Sequence, residues 1–278
     1  MNKKQLLKTL ESMGMRPGRG LGQNFLLDTN LLDWIVRKSK PQAGEKILEV
    51  GPGFGALTHK LLDTGAVVTA IEFDHRIAEY LRKNVHHENL TLIENDACQV
   101  DYAELFPAGV SYRAIANLPY AISTVFISIL SELDNPPKEM YFMLQKEMAE
   151  RLASPPGCKA YGALSVTAGL RYVANIEKIV PPDVFYPAPE VESAILSLKM
   201  RENDPGKDDL IRVRKLVRLV FSQRRKQMGK IIANSYGKNR TAIAMEKCNL
   251  DMTIRPDKVS IEKFLELSRT LAETNVED

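Results

Sequence analysis

The feature that most constrains this chain is an alternation of short apolar runs, each of strand length, with stretches of helical periodicity, sustained up to Met200. Lys-Ile-Leu-Glu-Val at 46–50, bounded by Gly44 and Gly51, is predicted to be a buried strand. A helix is expected from about 56 to 63, stopped near Gly65, then a strand at 67–71, a helix over 77–84 and a third strand at 90–93. Further strand-length runs lie at 114–116, 140–144, 176–180 and 194–198. About seven strands result, and their alternation with helices predicts an α/β fold: a doubly wound, mainly parallel sheet whose ligand crevice opens at the carboxyl ends of its strands. With 44% apolar and 26% charged residues there is ample material for a core, which excludes a disordered chain.

After Met200 the pattern changes. Asn203, Asp204, Pro205 and Gly206 make a turn-rich linker, and beyond it the periodicity is helical with no convincing strand. The expected division is a domain over 1–202, opened by a basic arm at 1–22, and a small all-helical domain over 203–278. No apolar stretch approaches about 18 residues, and residues 1–17 lack the apolar run of a signal peptide, so a cytoplasmic protein that uses no membrane is expected. Cys98, Cys158 and Cys248 are far apart and read as reduced, buried thiols; His59, His75, His86 and His87 show no ligand spacing, so no metal is expected.

The first predicted strand hands over to the first predicted helix through Gly51-Pro52-Gly53-Phe54-Gly55-Ala56. Glycines there permit positive φ and a close backbone approach to a ligand, and the helix start offers free N–H groups. Glu72 follows Gly51 by 21 residues, at the end of the second strand, where a carboxylate can accept hydrogen bonds from two ribose hydroxyls. Asp96 occupies the equivalent point after the third strand, suited to an adenine amino group. Together these residues describe a pocket for an adenosine-containing cofactor. Residues 51–56 also fit a nicotinamide dinucleotide fingerprint, so spacing alone leaves a dehydrogenase open.

Asn117-Leu118-Pro119-Tyr120 ends the fourth strand, again at the crevice. Methylating adenine N6 requires the nitrogen to leave planarity, and acceptors aimed at its hydrogens favour that change. Asn117 Oδ1 and the Leu118 carbonyl can serve, with Pro119 restricting the Leu118 backbone and Tyr120 stacking on the base.

At these residues the chain resembles the class I S-adenosylmethionine-dependent methyltransferases, with their Rossmann-like sheet, and specifically the ribosomal RNA adenine N6,N6-dimethyltransferases. The resemblance runs from Gly22 to about Lys226 and is carried by residues 22–26 (Gly-Gln-Asn-Phe-Leu), the loop 49–58, the tetrapeptide 117–120, and 182–189 with Val191 and Ser193. It implies S-adenosyl-L-methionine as cofactor. By the same resemblance Asn24 and Leu26 line the methionine end, Gly51, with Gly53 and Gly55, gives the backbone approach, and Glu72 and Asp96 hold ribose and adenine. Asn117 touches both cofactor and target amine, and Phe185 covers the target base opposite Tyr120.

Net charge is only +3, yet residues 210–240 hold ten Lys or Arg and no acid. Arg212, Arg214, Lys215 and Arg218 lie on an amphipathic stretch that runs into Arg224, Arg225 and Lys226, and the group is expected to bind RNA phosphates. Lys3, Lys4, Lys8, Arg16 and Arg19 extend the basic character to the N-terminal arm. Gly229 and Lys230 depart from the family pattern, which has an Asn four residues after its Arg-Arg-Lys.

The resemblance implies, as target, two adjacent adenosines in the hairpin near the 3′ end of bacterial small-subunit (16S) rRNA, within a pre-ribosomal 30S particle and by a monomeric enzyme. Three rivals stand beside it: the large-subunit (23S) dimethylase that confers macrolide resistance, an NAD-dependent dehydrogenase, and a non-catalytic RNA-binding assembly factor.

Overall fold

The computed structural model describes Met1, residues 3–15 and residues 23–274; Arg16, Arg19 and Gly22 lie outside the described residues. In chain order the elements are α1 (Lys3–Ser12), β1 (Phe25–Leu26), α2 (Thr29–Ser39), β2 (Lys46–Val50), α3 (Ala56–Leu62), β3 (Val67–Glu72), α4 (His75–Asn84), β4 (Leu90–Glu94), α5 (Tyr102–Leu105), β5 (Arg113–Asn117) and α6 (Ser123–Glu132). They continue with β6 (Glu139–Gln145), α7 (Lys146–Ala153), α8 (Ala163–Gly169), β7 (Tyr172–Val180), β8 (Phe185–Tyr186), β9 (Ser193–Met200), α9 (Lys207–Phe221), α10 (Met228–Tyr236), α11 (Lys238–Lys247) and α12 (Ile261–Glu273).

Seven strands form one sheet in the order β4-β3-β2-β5-β6-β9-β7, and β9 runs antiparallel to β6. This is the doubly wound α/β sheet that the alternation predicts. β2 is buried almost from end to end, which explains the near-continuous apolar run of its sequence. Its ladder with β3 runs from Lys46↔Val67 to Val50↔Ile71, but its ladder with β5 holds only Ile47↔Arg113 and Leu48↔Ala114. Past Leu48 and Ala114 the pairing stops, at the point where strand order reverses, and a crevice opens between Val50 and Asn117. β1 and β8 pair separately as a two-stranded ribbon, Phe25↔Tyr186 and Leu26↔Phe185.

The chain divides into two compact units, 1–149 with 175–199, and 150–174 with 200–278. This differs from the 202/203 division expected from sequence, because residues 150–174 cluster with the helical unit. Tyr161, Val166 and Leu170 share a core with Val213, Leu216 and Val217 of α9 and Phe264 and Leu267 of α12, so α8 has its apolar partners far along the chain. The core of the first unit joins Leu6 and Leu10 of α1 to Leu26, Ile47, Val68, Ile115, Phe185 and Ile195. α1 is thus an amphipathic helix with a buried face, and Lys3 holds its ammonium 5.5 Å from the Tyr186 ring centre. No described helix is long and apolar enough to cross a membrane.

Candidate active site

A cavity of about 320 Å³ lies at the strand ends of the first unit and is lined by Asn24, Leu26, Gly51, Gly53, Glu72, Asp96 and the tetrapeptide 117–120. The ends of β2, β3, β4 and β5 and the turns after them deliver all of these residues but Asn24 and Leu26, which come from the segment of β1. Gly51, Gly53 and Gly55 have φ of +67°, +54° and +82°, a region that costs any L side chain energy. A Cβ on Gly51 would lie 2.9 Å from Pro119 Cγ, and one on Gly53 would lie 3.1 Å from the Phe25 ring. Gly51 therefore lets the glycine loop and the tetrapeptide touch. Gly55, expected at the cofactor, does not line the cavity: it starts α3 from a left-handed position, and a Cβ there would meet Leu81 and Val85.

Glu72 ends β3 with its carboxylate drawn over the loop. Oε1 accepts the Asp74 amide at 2.9 Å. Burial pushes its carboxyl up to about 7, against the lowering effect of the Asp74, Gly53 and Phe73 amides. Asp96 sits in the turn after β4, where Oδ1 accepts the Cys98 amide at 2.8 Å and Oδ2 accepts the Gln99 side-chain amide at 3.2 Å. Glu49, in β2, is an acid the sequence reading left unassigned. It is 1% exposed and lines the same cavity, and its Oε2 has no hydrogen-bond partner. Burial pushes its carboxyl up to about 8. Its signal in the sequence was a lone carboxylate inside the apolar run of a buried strand. Phe73, 62% exposed, adds an aromatic face beside Glu72 that sequence reasoning also missed.

In the tetrapeptide, Asn117 Nδ2 donates to the Asn24 carbonyl at 3.1 Å, which assigns the amide and leaves Oδ1 as the free-running acceptor. The Leu118 amide donates to the Met143 carbonyl at 3.0 Å and the Leu118 side chain is buried, so this residue is anchored by both. Among the described residues its carbonyl accepts no hydrogen bond. Tyr120 lies against Ser193, hydroxyl to hydroxyl, at 2.5 Å.

Phe185 is the exception. It is 4% exposed, belongs to the core that includes Leu6 and Leu10, and does not line the cavity. The expected cover for a base opposite Tyr120 is not formed by this residue, because pairing with Leu26 places it in the interior of the ribbon that α1 packs against. Its neighbour Tyr186 is the half-buried aromatic of that segment.

The cavity suits a cationic, hydroxyl-bearing adenosine compound. Its wall holds the unpartnered buried Glu49 oxygen and Glu72, a backbone cradle that Cβ atoms would fill, and no Lys, Arg or His among the described residues. A dinucleotide pyrophosphate would face the acidic side chains of Glu49, Glu72, Asp74 and Asp96 there with no Lys, Arg or His in the same wall.

The helical unit carries a separate cleft of about 840 Å³, lined by Arg224, Arg225 and Lys226 and also by Lys159, Arg255 and Lys258. Only Asp257 opposes them, and it is held by Arg255 at 2.8 Å. Arg224 reaches the Cys158 and Lys159 carbonyls at 3.2 and 2.7 Å. Arg212, Lys215 and Arg218 lie on the exposed face of α9, with Arg214 partly buried. None of the four lines the cleft, and Arg212 is paired with Asp209 at 2.7 Å. Lys159, Arg255 and Lys258 escaped the sequence reading because they come from two segments remote from residues 224–226. Gly229 has a local reason: a Cβ there would lie 2.6 Å from the Met252 carbonyl oxygen, while Lys230 points to solvent.

The model of a family described as ribosomal RNA adenine dimethylase matches residues 17–273. A ribosomal RNA small subunit methyltransferase A from Hahella chejuensis is 37% identical over 262 residues, covering 93% of this chain and 94% of its own. The protein of the same name from Leptothrix cholodnii is 38% identical over 260 residues, covering 93% of each. Among solved structures, a dimethyladenosine transferase from Plasmodium falciparum superposes with a TM-score of 0.74 at 26% identity, covering 87% of this chain and 95% of that one.

Proposed function

Because the chain belongs to the ribosomal RNA adenine dimethylase family, we propose that it methylates N6 of two adjacent adenosines in the hairpin near the 3′ end of small-subunit (16S) rRNA, twice each. The donor is S-adenosyl-L-methionine, which supplies an electrophilic methyl group on a cationic sulfonium. The small-subunit target, rather than the large-subunit one, is favoured by relatives at 37% and 38% identity that bear the small-subunit name. The setting in this proposal is a cytoplasmic pre-ribosomal 30S particle, engaged by a monomer without a metal.

Gly51 and Gly53 admit the cofactor against bare backbone, Glu72 accepts from its ribose hydroxyls, Asp96 accepts from its adenine amino group, and Asn24 and Leu26 wall its methionine end. Asn117 Oδ1 and the Leu118 carbonyl accept the two hydrogens of the target amine and draw the nitrogen out of the ring plane. Pro119 stiffens that carbonyl's direction and Tyr120 offers its ring to the base. No residue has to take a proton first, because the nitrogen becomes a far stronger acid once methylated. The work is alignment, an effect worth effective molarities of about 10⁵ to 10⁸ M. Arg224, Arg225 and Lys226 in the basic cleft, with Arg212, Arg214, Lys215 and Arg218 on α9, meet RNA phosphates.

One observation carries the reading: Asn117's amide is pinned by the Asn24 carbonyl, so that Oδ1 and the unpartnered Leu118 carbonyl form an acceptor pair at the wall that also holds Glu72. The test is mass spectrometry of nucleosides from undermethylated 30S subunits incubated with the protein and cofactor. N6,N6-dimethyladenosine is expected, and Asn117→Ala should abolish it while RNA binding persists. Unchanged turnover in that variant refutes the assignment, and unmodified adenosine with the wild type refutes the function.

A further inference from the structure

Ser193 opens β9 and is 0% exposed. A hydroxyl buried that deeply has to spend its hydrogen-bonding capacity inside the protein. The side-chain partner the structure gives it is the Tyr120 hydroxyl, at 2.5 Å. The arrangement reaches further than one bond. Ser193 stands opposite Gln145 of β6. Met143, two residues earlier on that strand, stands opposite Asn117 and accepts the Leu118 amide. The amine-acceptor pair and the tip of the Tyr120 ring are therefore referenced to the same strand, β6, one directly and one through β9. The Tyr120 backbone is fixed as well, since its carbonyl accepts from the Ser123 hydroxyl at 3.1 Å. With both ends held, the ring keeps one inclination at the cavity wall. Burial pushes the Tyr120 phenol up, so it stays neutral and serves as a surface, not as a base.

We propose that Ser193 is a positioning residue for methyl transfer: its hydroxyl grips the Tyr120 hydroxyl and sets the ring face at the angle that presents the target adenine to the Asn117–Leu118 acceptors. The inference rests on the adenine N6 reading above and adds to it a residue remote from substrate. A ring released from Ser193 still stacks but samples other inclinations, so the expected loss is in the rate of the bound complex and not in its formation.

The test is a double-mutant cycle in the full chain, with Ser193→Ala, Tyr120→Phe and the double variant assayed on undermethylated 30S subunits under saturating cofactor. Each single variant should lower kcat about tenfold and leave KM for the subunit within about twofold, because particle affinity resides in the basic surfaces. The double variant should be no slower than either single one, since both remove the same bond. Cofactor affinity by titration calorimetry should stay near wild type in Tyr120→Phe, while its Tm falls modestly, because the buried Ser193 hydroxyl loses its partner. Losses that multiply to about a hundredfold, or a Tyr120→Phe variant as fast as wild type, overturn the proposal while leaving the function intact. Wild-type protein that yields no dimethyladenosine overturns the function and this inference with it.

Discussion

Gly51→Ala tests whether the glycine loop and the tetrapeptide work as one object. The substitution meets two separate penalties. At φ +67° an alanine is held in the left-handed region, a strain of about 1–2 kcal/mol. Its Cβ would also stand 2.9 Å from Pro119 Cγ and 3.0 Å from Cδ, where carbon atoms prefer about 3.5 Å or more. Pro119 must then retreat by roughly 0.6 Å, at an overpacking cost of about 1–3 kcal/mol. That displacement is passed to the Leu118 carbonyl on one side and Tyr120 on the other. Misplacement of about 1 Å at a reacting centre costs on the order of 100-fold in rate, so kcat should fall by between ten- and a hundredfold.

Gly44→Ala is the internal control. Its φ is +76° and nothing lies within 4 Å of a Cβ built there, so it carries the strain alone. Thermal unfolding should show both variants destabilised, Gly51→Ala by about 1–3 kcal/mol more than Gly44→Ala, the overpacking share alone. Single-turnover methyl transfer should be impaired only in Gly51→Ala. A Gly51→Ala enzyme that turns over at the wild-type rate, or a Gly44→Ala enzyme equally slow, refutes the contact between loop and proline as the reason for the glycine.

Two further outcomes follow from charge. Glu49 and Glu72 have carboxyls raised from 4.5 to about 8 and about 7, so between pH 4.5 and 8 the folded chain holds more protons than the unfolded one and stability falls as pH rises across that window, levelling off above about 8. Glu49→Gln removes a share of that fall worth up to roughly 5 kcal/mol at about 1.4 per pH unit; its Tm should decline less than the wild type's between pH 5 and 8.5, and parallel curves would contradict the burial argument. Arg224→Ala with Arg225→Ala should weaken RNA binding and reduce the slope of log affinity against log salt by roughly 1.4–1.8 if each contacts one phosphate, with cofactor affinity unchanged; an unaltered slope removes this cleft from the RNA surface.

The parts of this protein that could be read in advance are those the βα repeat delivers. Each repeat puts one turn at the crevice, so Gly51, Glu72, Asp96 and Asn117 announce themselves by following a strand-length apolar run, and their meeting in one cavity follows from parallel order. Glu49 and Phe73 aside, what escaped the reading does not belong to that repeat. β1 and β8 are two residues each, too short to carry a period of two, so no pattern distinguishes which of Phe185 and Tyr186 faces inward; the pairing with Leu26 and the packing of α1 decide it. Lys3, Lys4 and Lys8 looked like an arm for phosphate because their charge is visible, whereas Leu6 and Leu10 commit the same helix to the core. Residues 150–174 join the helical unit through Tyr161, Val166 and Leu170, whose partners lie 43 to 106 positions later, between Val213 and Leu267. Lys159, Arg255 and Lys258 reach the Arg224–Lys226 cleft from two other remote segments. Local periodicity carries the first kind of information and cannot carry the second, since a contact between remote segments leaves no spacing to read. The proposed acceptors fall in the first class and the groups that steady them fall in the second: Asn117 could be found from its strand, but the Asn24 carbonyl that orients it and the Ser193 hydroxyl that holds Tyr120 lie 93 and 73 residues away from their partners. Chemistry at a strand end is legible in one sequence; its precision is supplied by neighbours that only the folded chain brings near.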